Sequence, residues 1–161
     1  MEEDIRPGVF HPEKAAALGV PRGPMWSTLQ SGESVTLPDG RTVESSQVMG
    51  EKRRGRKFSF ATDTISAPGL ADFVRESDVF ICEGMFTDDL TEAAMEKRHL
   101  TASQAARIAR DGNVGQLGLI HYSPRYSDRE LKKLAQEARE IFPEAFLTRD
   151  LQRIGIPYKD D

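Results

Sequence analysis

Four residues whose side chains bind metals or transfer protons lie at the ends of predicted secondary-structure elements. Asp63 follows a first predicted strand, Glu83 a second and His121 a third. His99 lies just before a predicted helix, where the helix dipole attracts anions. Carboxylates and imidazoles are ligands of zinc and are also the usual general acids and bases. The set therefore predicts one shared site for a metal or a phosphate.

Each of these residues also has an ordinary structural explanation. An aspartate after a strand commonly caps a turn, and a histidine at a strand end or helix start is often only a hydrogen-bonded surface residue. Cys82 is explained as a small core residue. Glu83 is harder to explain, because a carboxylate directly after a buried apolar run needs a partner. One such residue at the end of each central strand favours the shared site.

The elements that would position these residues form a strand–helix alternation from residue 57 onward. Such an alternation predicts an α/β fold with a largely parallel sheet, whose chemistry gathers beyond the carboxyl ends of the strands. Thr101 with Gln104, and Ser127 with Glu130, have the spacing of capping boxes at two helix starts. Strands are predicted at 57–61, 78–82, 116–120 and 144–148, and helices at 67–76, 90–97, 101–112 and 131–142.

Residues 1–56 predict a separate segment, because prolines and turns replace the alternation. Pro12 suits the first turn of a short helix, and GVPRGPMW predicts a rigid turn that exposes Arg22 and Trp26. ESVTLPDGRTVES predicts a β-hairpin around Pro-Asp-Gly. The run EKRRGRK, with five basic residues in seven, is either a solvated loop or a phosphate contact. We therefore expect an arm-like segment with a hairpin and a basic loop over 1–56, and an α/β unit over 57–161.

The composition restricts the class of protein. A net charge of −4 over 161 residues argues against a generally basic nucleic-acid-binding surface but leaves room for a local basic patch. A single cysteine excludes an internal disulfide framework and fits a reducing compartment. Neither a secretory signal nor an apolar run long enough for a membrane helix is visible. We expect a soluble, cytoplasmic protein.

The histidine count limits a metal site built from this chain alone. The chain has three histidines and contains neither H-x-H-x-D-H nor H-E-x-x-H. A catalytic zinc site usually has three protein ligands, and a dinuclear site needs more. Most ligands of a dinuclear site would therefore have to come from outside this chain.

Five motifs follow one another along the chain: GVPRGPMWSTLQSGESVTLPDGRTV, GRKFSFATDT, DVFICEGMF, RHLT and HYSPRY. In order and spacing they resemble the C-terminal half of ribonuclease Z, the tRNA 3′-processing endonuclease of the metallo-β-lactamase fold. The similarity runs from about residue 6 to about residue 150 and keeps the family's spacing, with 36 residues from Asp63 to His99 and 22 from His99 to His121. It implies one half of an αββα sandwich.

The resemblance implies a role for each matching residue. Asp63 would bridge two zinc ions and His121 would ligate one of them. His99 would contact the scissile phosphate or protonate the leaving 3′ oxygen, and Glu83 would orient an imidazole. Residues 6–50 would correspond to the tRNA-gripping arm. The substrate- or phosphate-binding residues implied in the same way are Arg125, Tyr126, Thr64 and Thr101.

The sequence also departs from the family's pattern. Thr62 stands where the family usually has glycine, Cys82 where it has histidine, and Leu100 where it has serine; Gly84-Met85 replaces Ala-Thr. These changes affect recognition of the tRNA end more than metal binding. The histidine-rich ligand motif and the general-base aspartate of the N-terminal half have no counterpart, so the chain has the character of a fragment, a truncated reading frame or a remnant.

Three functions remain open from the sequence. The first is half of a zinc-dependent hydrolase that cleaves the 3′ trailer from precursor tRNA only when joined to the missing N-terminal half. The second is a non-catalytic half-domain that self-associates, for example as a homodimer, or docks a partner. The third is another metallo-β-lactamase-fold hydrolase with a small substrate, which the arm-like segment disfavours.

Overall fold

The chain folds into two units in the computed structural model, which describes residues 1–158. One unit comprises residues 3–55, and the other comprises residues 1–2 with residues 56–158. Residues 159–161, at the end of the predicted 57–161 unit, lie outside the described residues. The residues that match the site motifs all belong to the second unit.

The unit of residues 3–55 holds three short helices and a hairpin around a small apolar core. The predicted hairpin is confirmed, since Val35 pairs with Val43 in an antiparallel register. The prediction of an exposed Trp26 is wrong. Pro24 has the backbone angle of a first helical residue and starts a helix instead of a turn, and Trp26 lies half-buried with its Nε1 donating to Val20 O at 3.1 Å. The elements are α1 (Pro12–Ala17), α2 (Pro24–Gln30), β1 (Val35–Thr36), β2 (Thr42–Val43) and α3 (Ser45–Val48).

The second unit is built on a four-stranded sheet in which every neighbouring pair is parallel, in the order β3-β4-β5-β6. The predicted α/β class with a parallel sheet is confirmed. The strands are β3 (Phe58–Ala61), β4 (Val79–Glu83), β5 (Gln116–Ile120) and β6 (Ala145–Leu147). The helices are α4 (Leu70–Phe73), α5 (Thr91–Lys97), which follows a 3-10 turn at Asp88–Leu90, α6 (Ala102–Asp111) and α7 (Asp128–Ile141).

The two long helices begin where the sequence predicts, and one predicted helix is much shorter. Capping boxes are present at the starts of α6 and α7, at Thr101 and Ser127. The helix predicted over 67–76 contains only Leu70–Phe73. Pro68 disfavours helical angles at the residue before it, and Gly69 adopts a left-handed φ of 86°, so the helix cannot begin earlier.

One face of the sheet carries the core. The helices α6 and α7 supply buried residues to the same apolar cluster as alternate residues of β4 and β5, such as Phe80 and Leu119. Cys82 belongs to this cluster and is fully buried. Burial raises the pKa of the Cys82 thiol, and the neighbouring Glu83 carboxylate raises it further. Cys82 is therefore a protonated core residue.

The opposite face presents a row of apolar residues outside that cluster. Phe60, Ile81, Gly118 and Phe146 are direct partners across the four strands. A side chain at Gly118 would place its Cβ 2.5 Å from Ile81 Cδ1, so the row closes over the glycine. Phe60 is 51% exposed. Across residues 1–158, no helix is apolar and long enough to span a bilayer.

Candidate metal and catalytic site

The carboxyl ends of β3, β4 and β5 lie side by side, and the loops that follow them bring four ionisable side chains together. One donor atom each from Asp63, Glu83, His99 and His121 can be chosen so that all four lie within 4.8 Å of one another. The parallel register explains three of them, because Ala61 pairs with Cys82 and Glu83 pairs with Ile120. His99 reaches the cluster from the loop between α5 and α6. The residues that the sequence predicted to share a site are thus neighbours.

Left-handed backbone turns mark three of these loops. Asp63 has a φ of 48° and His121 a φ of 54°, and Arg98, directly before His99, has a φ of 60°. Such angles are uncommon for residues other than glycine. They turn the chain sharply after β3, at the end of α5 and after β5, where Asp63, His99 and His121 join the cluster.

Asp63 and His121 form the exposed pair of the cluster. The His121 Nδ1 atom lies 2.9 Å from Asp63 Oδ1, and the two side chains are 39% and 67% exposed. Two ligand atoms of a tetrahedral zinc site, with bonds of about 2.0 Å, lie roughly 3.3 Å apart. The pair therefore fits two ligands of one ion and is open to solvent.

Glu83 and His99 form the buried pair. The Glu83 side chain is fully buried and that of His99 is 19% exposed, with His99 Nδ1 3.0 Å from Glu83 Oε2. Two backbone N–H groups also donate to the carboxylate, from Thr64 at 2.5 Å and from Leu100 at 3.2 Å. Glu83 thus receives hydrogen bonds from the residue after Asp63, from His99 and from the residue after His99. The sequence predicts that this buried carboxylate has a partner, and the structure supplies three hydrogen-bond donors.

The carboxylate of Glu83 sets the tautomer of His99. An ionised carboxylate only accepts hydrogen bonds, so the His99 Nδ1 atom must carry the proton that it donates. The Nε2 atom of the neutral ring is then an acceptor or a metal ligand. The His99 ring lies 5.3 Å, centroid to centroid, from the ring of His121 at an interplanar angle of 64°.

The four residues implied to bind substrate or phosphate differ in their surroundings. Arg125 is exposed and its Nε donates to Ser123 Oγ at 3.1 Å. Thr64 is half-buried and its hydroxyl donates to the carbonyl of Ile65. The buried Thr101 hydroxyl accepts from Gln104 N as the cap of α6. Arg125 therefore has a cationic group at the surface, whereas the Thr101 hydroxyl serves the helix.

Tyr126 joins the loop after β5 to the loop after β4. Its hydroxyl accepts from the backbone N–H of Thr87 at 3.0 Å and lies 3.3 Å from Thr87 Oγ1. Thr87 is buried. Sequence reasoning missed Thr87, which is 39 positions from Tyr126 and carries no motif of its own. A proline-bent loop that ends in tyrosine was the available signal.

The donor set tests whether these residues fit zinc. Asp63 and His121 offer a carboxylate oxygen and an imidazole nitrogen, and His99 offers a second imidazole. Glu83 is less suited, because three donors already engage its two oxygens. The donors have the nitrogen and oxygen chemistry of zinc, and they are at most three in the part of the chain that the structure describes. The residues therefore fit a single ion and only part of a dinuclear site.

Comparison with known proteins supplies the family context. Ribonuclease Z of Treponema denticola is 54% identical over 160 residues, which are 99% of this chain and 52% of that protein. The chain is similar to ribonuclease Z over almost its whole length. Ribonuclease Z of Treponema pallidum is 51% identical over the same shares of the two chains. The resemblance that the motifs predicted is confirmed, and the chain spans about half the length of the curated relatives it matches.

The other comparisons add less. No family model matches the chain. The crystal structure of human tRNase Z, short form, is 25% identical, with a TM-score of 0.45 over 72% of this chain and 37% of the human chain.

Proposed function

We propose that this chain is the C-terminal half of a ribonuclease Z-like, zinc-dependent phosphodiesterase that removes the 3′ trailer from precursor tRNA. The observation that carries the proposal is the convergence of Asp63, His99 and His121 on the buried Glu83. These residues have the order and spacing of ribonuclease Z motifs, and the relatives named ribonuclease Z are up to 54% identical. The same relationship supports a half-sandwich of the metallo-β-lactamase fold.

The roles follow from the surroundings of each side chain. Asp63 and His121 are the metal ligands, and bound zinc would activate water and stabilise the departing oxygen. Glu83 orients His99 through Nδ1, which leaves Nε2, when it is protonated, as the group that contacts the phosphate or protonates the leaving 3′ oxygen. The exposed guanidinium of Arg125 suits a backbone phosphate.

The remaining predicted substrate residues divide into two kinds. Thr64 follows Asp63 and stays a candidate for phosphate contact. The hydroxyls of Thr101 and Tyr126 are bonded inside the fold, which favours a positioning role for both. The arm assignment of residues 1–56 stays a prediction, and the run EKRRGRK would serve it by contacting tRNA phosphates.

The chain by itself is proposed to be inactive in tRNA cleavage. Its described residues offer at most three suited donors, fewer than a dinuclear site needs. The row Phe60–Ile81–Gly118–Phe146 is an apolar sheet face that a second layer would cover. Both features support completion by the N-terminal half of a ribonuclease Z, which would bring a second sheet and the histidine-rich motif. A reducing cytoplasm suits the free, buried Cys82.

A chimaera tests this proposal. The unmatched half of the Treponema denticola enzyme is fused ahead of this chain, and 3′ cleavage of a precursor tRNA is measured with Zn²⁺ present. We expect cleavage by the chimaera, none by the 161-residue chain, and a loss of more than about 100-fold in the chimaera with Asp63→Asn. Asp111→Asn, at an exposed aspartate at the end of α6 and outside the cluster, is the matched control and should retain activity.

Two results would contradict the proposal. Robust cleavage by the 161-residue chain would overturn the incomplete ligand set. A folded chimaera that binds zinc and cleaves no precursor tRNA would overturn the tRNA reaction.

Self-association is a second candidate, and the half-exposed Phe60 favours it. A homodimer that covers the apolar row would protect the same face without any N-terminal half. Sedimentation of the 161-residue chain separates the two ideas. A stable, folded monomer argues against the dimer, and a dimer that Phe60→Ser converts to monomer supports it.

A further inference from the structure

A groove of about 940 Å³ lies between helix α7 and strand β6, outside the four-residue cluster. Strand β6 has a neighbouring strand on one side only, so the groove follows an open edge of the sheet. At one end, Arg139 Nε donates to the carbonyl of Ala145, the first residue of β6, at 2.8 Å. At the other end, the Tyr122 hydroxyl donates to the carbonyl of Thr148, just past β6, at 2.8 Å. The groove thus runs the length of β6.

The Tyr122 end of the groove opens beside the candidate site. Tyr122 lines the groove and directly follows His121, the exposed imidazole of the cluster. Helix α7 begins six residues later, at Asp128, and Arg139 lies about 16 Å further along the helix axis. A polymer that leaves the cluster along Tyr122 would therefore pass between α7 and β6.

Both walls of the groove carry cations. Lys132 and Arg139 lie on α7, and Arg149 follows β6. Among residues 1–158, no hydrogen bond or ion pair engages the Lys132 ammonium or the Arg149 guanidinium. Two acidic residues, Asp128 and Glu140, also line the groove, near the two ends of α7. The lining therefore has a net positive charge, with two cationic groups open to a negatively charged ligand.

A polyanion fits these walls better than a single small anion. Lys132 and Arg139 are about 10 Å apart along the helix axis, so one phosphate cannot reach both. Grooves for single-stranded nucleic acid combine spaced cations with aromatic rings on which bases stack, and Tyr122 supplies such a ring. The net charge of −4 makes the rest of the surface unfavourable to a polyanion, which favours contact at this groove.

We propose that the groove between α7 and β6 binds the single-stranded 3′ trailer of a precursor tRNA, with Lys132, Arg139 and Arg149 contacting its phosphates. The inference rests on the proposed tRNA reaction and extends it to a surface beyond the cluster. The trailer is the part of the substrate that continues past the scissile bond, so it is the strand that would enter a groove beginning at Tyr122.

Binding of a fluorescein-labelled oligouridine by the 161-residue chain tests the groove without any cleavage. Affinity is measured by fluorescence anisotropy at several salt concentrations. Lys132→Gln and Arg149→Gln should each weaken binding and reduce the slope of log affinity against log salt by about 0.7, the value for one phosphate contact on a single strand. Arg107→Gln, at an exposed cation of α6 outside the groove, is the matched control and should change neither quantity.

Three results would overturn the proposal. The first is no measurable binding of oligouridine, and the second is binding that both substitutions leave unchanged. The third is Lys132-dependent binding of polyglutamate in place of oligouridine, which would assign the groove to an acidic protein segment.

Cleavage kinetics of the chimaera connect the groove to the substrate. Precursor tRNAs with a trailer of one nucleotide and of about ten nucleotides are compared. Lys132→Gln should raise KM for the long trailer with kcat unchanged, because the lost contact is remote from the reacting atoms, and should change neither constant for the short trailer.

The outcomes separate this inference from the proposed function. An unchanged KM for the long trailer would overturn the trailer groove and leave the tRNA reaction intact. A chimaera that cleaves neither precursor would overturn the tRNA reaction, whereas Lys132-dependent binding of oligouridine would still support a groove for single-stranded RNA.

Discussion

The site contains two carboxylate–histidine pairs with almost the same spacing and opposite surroundings. The nitrogen–oxygen distance is 3.0 Å in the Glu83–His99 pair and 2.9 Å in the Asp63–His121 pair. The Glu83 side chain is fully buried, whereas the Asp63 side chain is 67% exposed. The distance alone would assign both pairs the same role.

Burial separates those roles. A buried carboxylate must have its lone pairs satisfied by the protein, and Glu83 uses them to hold two backbone segments and one imidazole. An exposed carboxylate is solvated, gains little from its partner and is free to exchange that partner for an ion. The buried pair therefore organises the site, and the exposed pair is available to bind.

The largest expected effect comes from removing the buried carboxylate. Glu83→Ala leaves the N–H groups of Thr64 and Leu100 and the ring of His99 without their acceptor, and should lower the free energy of unfolding by about 3–5 kcal/mol. Asp63→Ala, in the exposed pair, should cost less than about 1 kcal/mol. Urea unfolding followed by the amide NMR signals of β4 measures both, because the single tryptophan, Trp26, lies in the other unit.

Equal losses from the two substitutions would break the comparison. They would mean that burial does not distinguish the carboxylates and that Asp63 is as structural as Glu83.

A smaller effect is expected at Tyr126, which ties the loop that carries His121 to the loop after β4. Tyr126→Phe leaves the buried Thr87 N–H without its acceptor and should cost roughly 1–3 kcal/mol. It should also weaken Zn²⁺ binding by the 161-residue chain, because the loop that carries His121 is released.

Tyr122→Phe provides the control for this prediction. The Tyr122 hydroxyl donates to the carbonyl of Thr148 at 2.8 Å, away from Thr87. Tyr122 directly follows His121, so loss of this hydroxyl should lower stability and weaken Zn²⁺ binding, but less than Tyr126→Phe does, because the Tyr122 hydroxyl bonds to Thr148 and not to the loop after β4. If both variants weaken Zn²⁺ binding equally, Tyr126 has no special connection to the site.

The smallest effect is a pH dependence at a carboxylate of intermediate burial. The pKa of Glu137 lies above its ordinary value, chiefly because of burial and also because of the charges of Asp88 and Asp89; the Asp88 N–H and Lys133 oppose the rise. The folded state therefore keeps the proton to higher pH, and stability should fall as pH rises from the ordinary glutamate pKa through the folded one. Glu137→Gln should remove that fall in urea unfolding between about pH 4 and pH 7.

Glu130 should behave in the opposite sense. Hydrogen bonds from the Ser127 hydroxyl and N–H lower its pKa, so its contribution to stability is lost as pH falls through the folded pKa. Glu130→Gln should remove that loss. A slope of the same sign for both residues would show that partial burial does not control Glu137.

Local features of the sequence predicted most of the elements and the candidate site residues. Thr101 and Gln104 are three residues apart, so their capping box follows from adjacent positions alone. Helical spacing alone predicts too long a helix around Leu70–Phe73, because the Pro68–Gly69 turn prevents an earlier start. The exposure predicted for Trp26 is wrong because Pro24 occupies the first turn of a helix and not a turn between elements. In each case the error concerned a boundary that Pro or Gly controls.

The sequence by itself determined the chemical types at the site: the donors Asp63, His99 and His121, and a carboxylate after a buried run that required a partner. It also determined the α/β alternation, because strand and helix periodicities are local. Only the tertiary structure decided that Glu83 is buried among three donors and that Asp63 remains in solvent. Burial depends on how β3, β4 and β5 align and on which loops cover their ends, and those contacts join residues 16 to 19 positions apart. Two carboxylates that both follow a strand therefore differ in their surroundings: Glu83 holds His99 inside the fold, and Asp63 is the exposed residue that we propose as a metal ligand.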